Sequence, residues 1–319
     1  MIENWLQALP HGITLSCRAS GERGRPVLLF LHGFPEGAFV WDALLEHFAQ
    51  PEHGGYRCVA PNLRGYERSS APSEVKDYRA KFLVQDVLAL IDSECGAQTP
   101  PAPLAALVAH DWGGAIAWNL ANQHPQRLDK LIIINSPHPG TFLRELQRSP
   151  AQQEASEYMN MLIQPNAQAV LSEDDFEPLL AFLTARRPPT DGTTDPHTAD
   201  TKRHWLSDSA KENYRWLWRH GLDGGLNYYR ASPLRPPRAA DPGATAVSLP
   251  IDALRIERPT LVIWGQQDHA LLPSLTEGLE DYIADLTLVP LPHASHWVVH
   301  EDCERVVQEI SAFLARSAA

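Results

Sequence analysis

Short runs of consecutive apolar residues alternate along the chain with stretches whose apolar positions recur every three or four residues. Runs of the first kind are clearest at Val27–Leu31, Arg57–Ala60, Ala105–Ala109, Leu131–Ile134, Thr260–Trp264 and Leu286–Leu291. A run without polar alternation is expected of a strand buried on both faces. The second kind, at Phe39–Ala49, Lys81–Ser93, Gly114–Gln123, Ser274–Ala284 and Cys303–Ala315, predicts amphipathic helices. Regular alternation of the two predicts an α/β fold, with a mostly parallel central sheet flanked by helices.

That alternation stops after Asn135. From about Pro137 to Pro250 the pattern is helical and irregular, with no convincing strand. Proline-rich stretches punctuate it, at Arg186–Thr190 with Asp195-Pro196 and again from Pro233 through Pro242. Proline fixes φ and removes a donor, so both are loop chemistry. The strand pattern resumes at Pro259. A sheet that pauses and then continues predicts a core of residues 1–136 and 251–319 carrying an inserted helical cap, 137–250. There is no internal repeat.

Composition changes this picture little. Apolar residues make up 44% and charged residues 21% of 319, ordinary for a globular protein with a real core. The net charge of −12 disfavours nucleic acid and anionic membrane as partners. Cys17, Cys58, Cys95 and Cys303 are widely separated and lack metal-ligand spacing, so neither a disulfide framework nor a zinc site is expected. The first residues lack the basic and apolar regions of a signal peptide, and no apolar run is long enough to span a bilayer. A cytoplasmic location is expected.

The chemistry concentrates where predicted strands end. Ala109-His110-Asp111-Trp112-Gly113-Gly114 joins a strand to a helix, with small residues on either side of Asp111. A sharp bend of this kind, the nucleophile elbow, needs small flanking residues to avoid the neighbouring backbone. Asp111 stands where such turns often carry serine, beside a helix N-terminus that favours negative charge. Asp268 follows the strand Thr260–Trp264, and His296 follows Leu286–Leu291. Nucleophile, acid and base thus occur in the order Asp111, Asp268, His296, with Asp268 expected to orient the base. His293, three residues earlier, is the one close rival for the base. After the strand Val27–Leu31 comes His32-Gly33-Phe34-Pro35-Glu36. Its turn is expected to aim the N–H of Phe34 into the site beside that of Trp112, forming an oxyanion hole. A cis Phe34–Pro35 peptide is expected there.

These motifs, H-G-F-P-E at His32–Glu36, R-G-Y at Arg64–Tyr66 and H-D-W-G-G at His110–Gly114, are joined by four more. They are N-S-P-H-P at Asn135–Pro139, N-Y-Y-R at Asn227–Arg230, the turn Gly265–Asp268 and S-H-W at Ser295–Trp297. Together they resemble the epoxide hydrolases of the α/β-hydrolase superfamily, in its aspartate-nucleophile branch near the haloalkane dehalogenases. The resemblance implies the α/β-hydrolase fold with a helical cap and His296 as the base. It also implies two cap tyrosines that hydrogen-bond the epoxide oxygen. N-Y-Y-R matches the second of these at Tyr229, and Ser156-Glu157-Tyr158-Met159 resembles the segment bearing the first at Tyr158. Trp112, Phe34, Pro35 and His138 are expected to contact substrate. One departure is the loop Asn62–Glu67, which lacks the aspartate and second glycine common in the family.

The resemblance implies attack by Asp111 on an epoxide carbon, an alkyl-enzyme ester, and hydrolysis of that ester to a vicinal diol. The expected partners are an epoxide and water, without metal or organic cofactor, and the chain is expected as monomer or homodimer. Two other readings compete. A haloalkane or haloacid dehalogenase uses the same aspartate, but the former typically has asparagine at Phe34 and fluoroacetate dehalogenases arginine at Trp112. A non-catalytic binding protein on the same fold has no need of nucleophile, acid, base and oxyanion donors together.

Overall fold

In the computed structural model, which describes residues 1–96, 102–185 and 205–316, the chain opens with two strands that pair antiparallel, β1 (Glu3–Ala8) and β2 (Thr14–Ser20). Six more follow: β3 (Val27–Leu31), β4 (Arg57–Pro61), β5 (Ala106–His110), β6 (Leu131–Ile134), β7 (Thr260–Gly265) and β8 (Leu286–Leu291). They form one sheet in the order β1-β2-β4-β3-β5-β6-β7-β8. Every pairing from β4 to β8 is parallel, and β2 joins β4 antiparallel. Strands β3 to β7 are buried along their whole length, as their unbroken apolar runs predict. Each fully buried Leu, Ile or Val there contributes about 1.5–3 kcal/mol. Strand β8 lies at the edge, which explains an alternating exposure and the tolerance of Pro290 inside it.

Helices α1 (Asp42–Phe48), α2 (Ala80–Cys95) and α3 (Asp111–Gln123) lie between strands of the first half. Among the described residues six more lie between β6 and β7: α4 (Pro139–Arg148), α5 (Pro150–Ala155), α6 (Tyr158–Leu162), α7 (Ala167–Leu171), α8 (Glu173–Thr184) and α9 (Asp208–Ala231). No strand interrupts this interval among the described residues, which enter only isolated bridges there, Arg238 to Asp241 and Ile256 to Ile283. The proline-rich residues 186–190 and 195–196 lie outside the described residues. Helix α10 (Cys303–Ala315) closes the fold. Among the described residues no helix is long and apolar enough to cross a membrane. Cys17 and Cys58 are buried free thiols.

Two expectations need correction. Ser274–Ala284 is not a helix but two 3-10 turns, Pro273–Thr276 and Leu279–Asp281, separated by Gly278 in the left-handed region at φ 77°. Residues Leu275, Leu279 and Ile283 are all buried at helical spacing, which is why the pattern resembles a helix. The hairpin β1–β2 is absent from the sequence reading. In β1 only Trp5 and Leu6 are large and apolar, and Leu6 is exposed.

Helix α9 lies directly on the loop that follows β4. A Cβ on Gly224 would stand 2.3 Å from the Gly65 carbonyl oxygen, so the two backbones touch. Gly224→Ala is expected to lower stability by about 1–3 kcal/mol, since neither backbone segment has room to yield. Urea unfolding tests this, and an unchanged midpoint contradicts so close an approach.

Candidate active site

Asp111 is the first residue of α3, immediately after β5, and its φ is 48°. A non-glycine residue in the left-handed region costs on the order of 1–3 kcal/mol and needs support from its surroundings. Support comes from both sides. The hydroxyl of Ser136, just past β6, donates to the Asp111 carbonyl at 2.7 Å, and the backbone N–H of Phe34 donates to Asp111 Oδ1 at 2.7 Å. The flanking residues must be small. A Cβ on Gly113 would lie 2.4 Å from the Leu31 carbonyl oxygen, and one on Gly33 would lie 2.2 Å from Asp111 Oδ1. The Phe34–Pro35 bond is cis.

His296 comes from the loop after β8, and its Nε2 stands 3.7 Å from Asp111 Oδ2. That is too far for a hydrogen bond and leaves Oδ2 unengaged by the ring. On the other side, Nδ1 of His296 donates to Asp268 Oδ2 at 2.7 Å. Asp268, fully buried after β7, also accepts from Asn135 Nδ2 at 2.8 Å and from the N–H groups of Ala270 and Leu271 at 2.9 Å. Burial opposes its charge, but His296 and these donors hold the carboxyl below the usual range. Burial likewise opposes charge on His296. The Asp268 carboxylate outweighs it, with help from Asp111 and Glu36, and pushes the imidazole up to about 9. His293, the rival base, is exposed, whereas His296 is buried beside both carboxylates.

Asp111, Trp112, Tyr158 and Tyr229 line one cavity of about 380 Å³ with mostly apolar walls. The Tyr158 and Tyr229 rings stand 6.2 Å apart edge to face. Tyr229 also packs edge-on against Phe34 at 5.3 Å and Trp112 at 5.0 Å. Burial pushes both phenols up, reinforced for Tyr158 by Asp111 and Asp268 and for Tyr229 by Tyr158 and Asp111. Both therefore remain protonated donors.

Of the expected substrate contacts Trp112 lines the cavity, whereas Phe34, Pro35 and His138 do not. His138 is not among the cavity-lining residues: it caps α4, accepting from the Gly140 N–H through Nδ1, while Nε2 faces the Leu254 carbonyl at 3.0 Å. Its ring is wedged between Trp118 and Tyr282, so it is a structural residue. Pro35 offers its carbonyl to the Trp218 indole N–H at 2.7 Å and does not line the cavity either.

Sequence reasoning gave no role to Asn135 and Glu36. Asn135, at φ 38°, ties β7 to the acid by accepting from the Gly265 N–H and donating to Asp268. Glu36, fully buried, accepts from Tyr214 at 2.7 Å and lies 2.6 Å from His300 Nε2. Its other oxygen faces His110 Nδ1 at 3.2 Å, and His110 Nε2 reaches the His296 carbonyl at 3.0 Å. Burial opposes its charge, yet His300 and His110 hold Glu36 well below the usual range. The available signal was a charged residue directly after a buried strand and a glycine turn.

The raised imidazole value has a consequence for stability. A group whose folded-state value lies above its ordinary 6.5 stabilises the fold fully below that pH, and the contribution is lost as pH rises through about 9. Denaturant unfolding across this window is expected to show falling stability in the native protein and a flatter profile in His296→Gln. Equal slopes contradict the role of Asp268 in holding that proton.

A family model described as the α/β hydrolase fold matches residues 26–302. Epoxide hydrolase 3 of Xenopus tropicalis is 32% identical over 311 residues, covering 95% of this chain and 75% of that protein. The crystal structure of Bacillus megaterium epoxide hydrolase with an inhibitor superposes at a TM-score of 0.81, with 28% identity over 98% of this chain and all of that one. One of the epoxide hydrolases found in metagenomes from hot environments is 35% identical over 99% of this chain and 100% of its own, at a TM-score of 0.78. By fold and sequence alike, the chain belongs to the epoxide hydrolases of the α/β-hydrolase superfamily.

Proposed function

We propose that the chain opens an epoxide to a vicinal diol in two steps, with residues 137–250 acting as a cap over a core of 1–136 and 251–319. In the first step Oδ2 of Asp111 attacks an epoxide carbon and the carbon–oxygen bond breaks. Tyr158 and Tyr229 hydrogen-bond the departing oxygen, which takes a phenolic proton, and the phenol is reprotonated from solvent. Once the ester has formed, His296 releases its resting proton to solvent; in the second step its neutral Nε2 takes a proton from a water molecule that attacks Cγ of Asp111. The resulting oxyanion is held by the N–H groups of Phe34 and Trp112; its collapse breaks the ester carbon–oxygen bond, the leaving oxygen takes the proton held by His296, and the diol departs.

One observation supports this reading above the rest. Asp111 lines one cavity with the phenols of Tyr158 and Tyr229, and the His296 imidazole stands 3.7 Å from its carboxylate. Charge balance fits the order of events. Asp111 is one of the anions that hold the proton on His296. Esterification removes that anion, so the imidazole gives up its proton more readily when it must act as a base. Two phenol donors suit an alkoxide leaving group, which needs a proton, better than a halide, which does not.

Intact-mass analysis of His296→Ala with a panel of aryl and alkyl epoxides tests the proposal. Hydrolysis of the ester is expected to slow on the order of 10²–10⁴-fold. The protein should then gain the whole mass of the epoxide, located by peptide mapping at Asp111. A haloalkane, by contrast, adds its mass less that of the hydrogen halide. Adducts only from haloalkanes, or full epoxide turnover by Asp111→Ala, overturn the proposal.

A further inference from the structure

Tyr228 and Tyr229 are adjacent on α9, and only Tyr229 has been given a task. Successive residues of a helix point about 100° apart, so both cannot aim at one oxygen. Tyr228 is buried to 1% exposure and lines the same cavity, while its hydroxyl donates to the Arg64 carbonyl at 2.9 Å. That acceptor is immobilised. Arg64 is buried and makes two bonds of 2.6 Å to Asp86, with others to the carbonyls of Asp77 and Phe82. His11 reaches Asp86 at 2.7 Å from the other side. Next in the chain, Gly65 is in backbone contact with Gly224, one helical turn before Tyr228.

These contacts act differently on the helix. The glycine contact sets how close α9 comes to the loop. Tyr214 on Glu36 and Trp218 on the Pro35 carbonyl hold the rotation of its middle turns, ten or more residues before Tyr229. The Tyr228 hydroxyl, out at the end of a rigid ring, opposes rotation of the last turns. A rotation of roughly 10° carries a side chain about 5–6 Å from the axis through about 1 Å. A displacement of that size at a reacting group can cost about 10²-fold in rate.

We propose that Tyr228 is a positioning residue: its bond to the Arg64 carbonyl sets the rotation of the last turns of α9 and so aims the Tyr229 hydroxyl at the epoxide oxygen. The inference rests on the reading of Tyr229 as a donor to that oxygen. It assigns the first tyrosine of the pair to the geometry of ring opening and not to ester hydrolysis, in which α9 supplies no group.

Single-turnover kinetics of Tyr228→Phe, Tyr229→Phe and the double variant separate the possibilities. Formation and decay of the ester can be followed by rapid quench and intact-mass measurement of the protein. Tyr228→Phe keeps the ring and removes one hydrogen bond. Ester formation is expected to slow roughly 5–50-fold, with ester hydrolysis within about twofold of the native rate. In the Tyr229→Phe background the same substitution is expected to have no further effect, because the group it aims is gone. If Tyr229→Phe slows ester formation but Tyr228→Phe leaves it unchanged, adds to it fully, or slows both steps alike, the positioning role is overturned. If Tyr229→Phe itself leaves ester formation at the native rate, the donor reading fails and takes this inference with it.

Discussion

The left-handed bend at Asp111 is where strand chemistry becomes site chemistry. A parallel strand ends, a helix begins, and the residue between them takes a φ of 48° that its side chain would ordinarily avoid. The Ser136 hydroxyl and the Phe34 N–H hold it there, each from a segment that follows a neighbouring strand of the sheet. The bend turns the carboxylate outward, above the C-terminal ends of β3, β5 and β6, where both the imidazole loop and the tyrosines converge. A residue in ordinary helical backbone at that position points elsewhere. The order of strands in the sheet is therefore a condition of the chemistry and not merely its scaffold.

Around that carboxylate the electrostatics are arranged in series. Asp268 is fully buried and kept charged by an imidazole, an amide and two backbone donors. It stabilises the protonated form of His296 against the cost of burial. His296 is in turn held at its carbonyl by His110, which faces the buried Glu36. Three carboxylates thus bear on one imidazole, and only Asp111 loses its charge during the proposed reaction. Differential charge, and not a shift of atoms, then distinguishes the resting site from the ester.

Much of this was legible in the sequence, and the exceptions have physical causes. Strands β3 to β8 are readable because burial on both faces leaves few polar residues to confuse the pattern, and β8, at the edge, still carries enough apolar residues. The β1–β2 hairpin is not, because an exposed edge strand needs few apolar residues. Asp111, Asp268 and His296 could be picked out because each directly follows an apolar strand, and the structure brings all three together. Tyr158 and Tyr229 were accessible only through likeness to a family, since a tyrosine in a helix carries no local sign of what it faces. Asn135 and Glu36 depend on partners more than a hundred residues away, which no local pattern reveals. His138 sits in a matching motif, but its ring nitrogens face backbone and its ring packs between aromatics.

The central claim is that Asp111 bonds to carbon and that water then attacks its carboxyl group, so one oxygen of the side chain leaves with the product. A single turnover in heavy-oxygen water, with enzyme in excess over epoxide, tests this directly through the mass of the peptide containing Asp111. The account requires the label in that carboxylate and unlabelled oxygen in the first diol released. Label in the diol with none in the peptide would mean that water attacks the epoxide itself and that Asp111 never forms the ester.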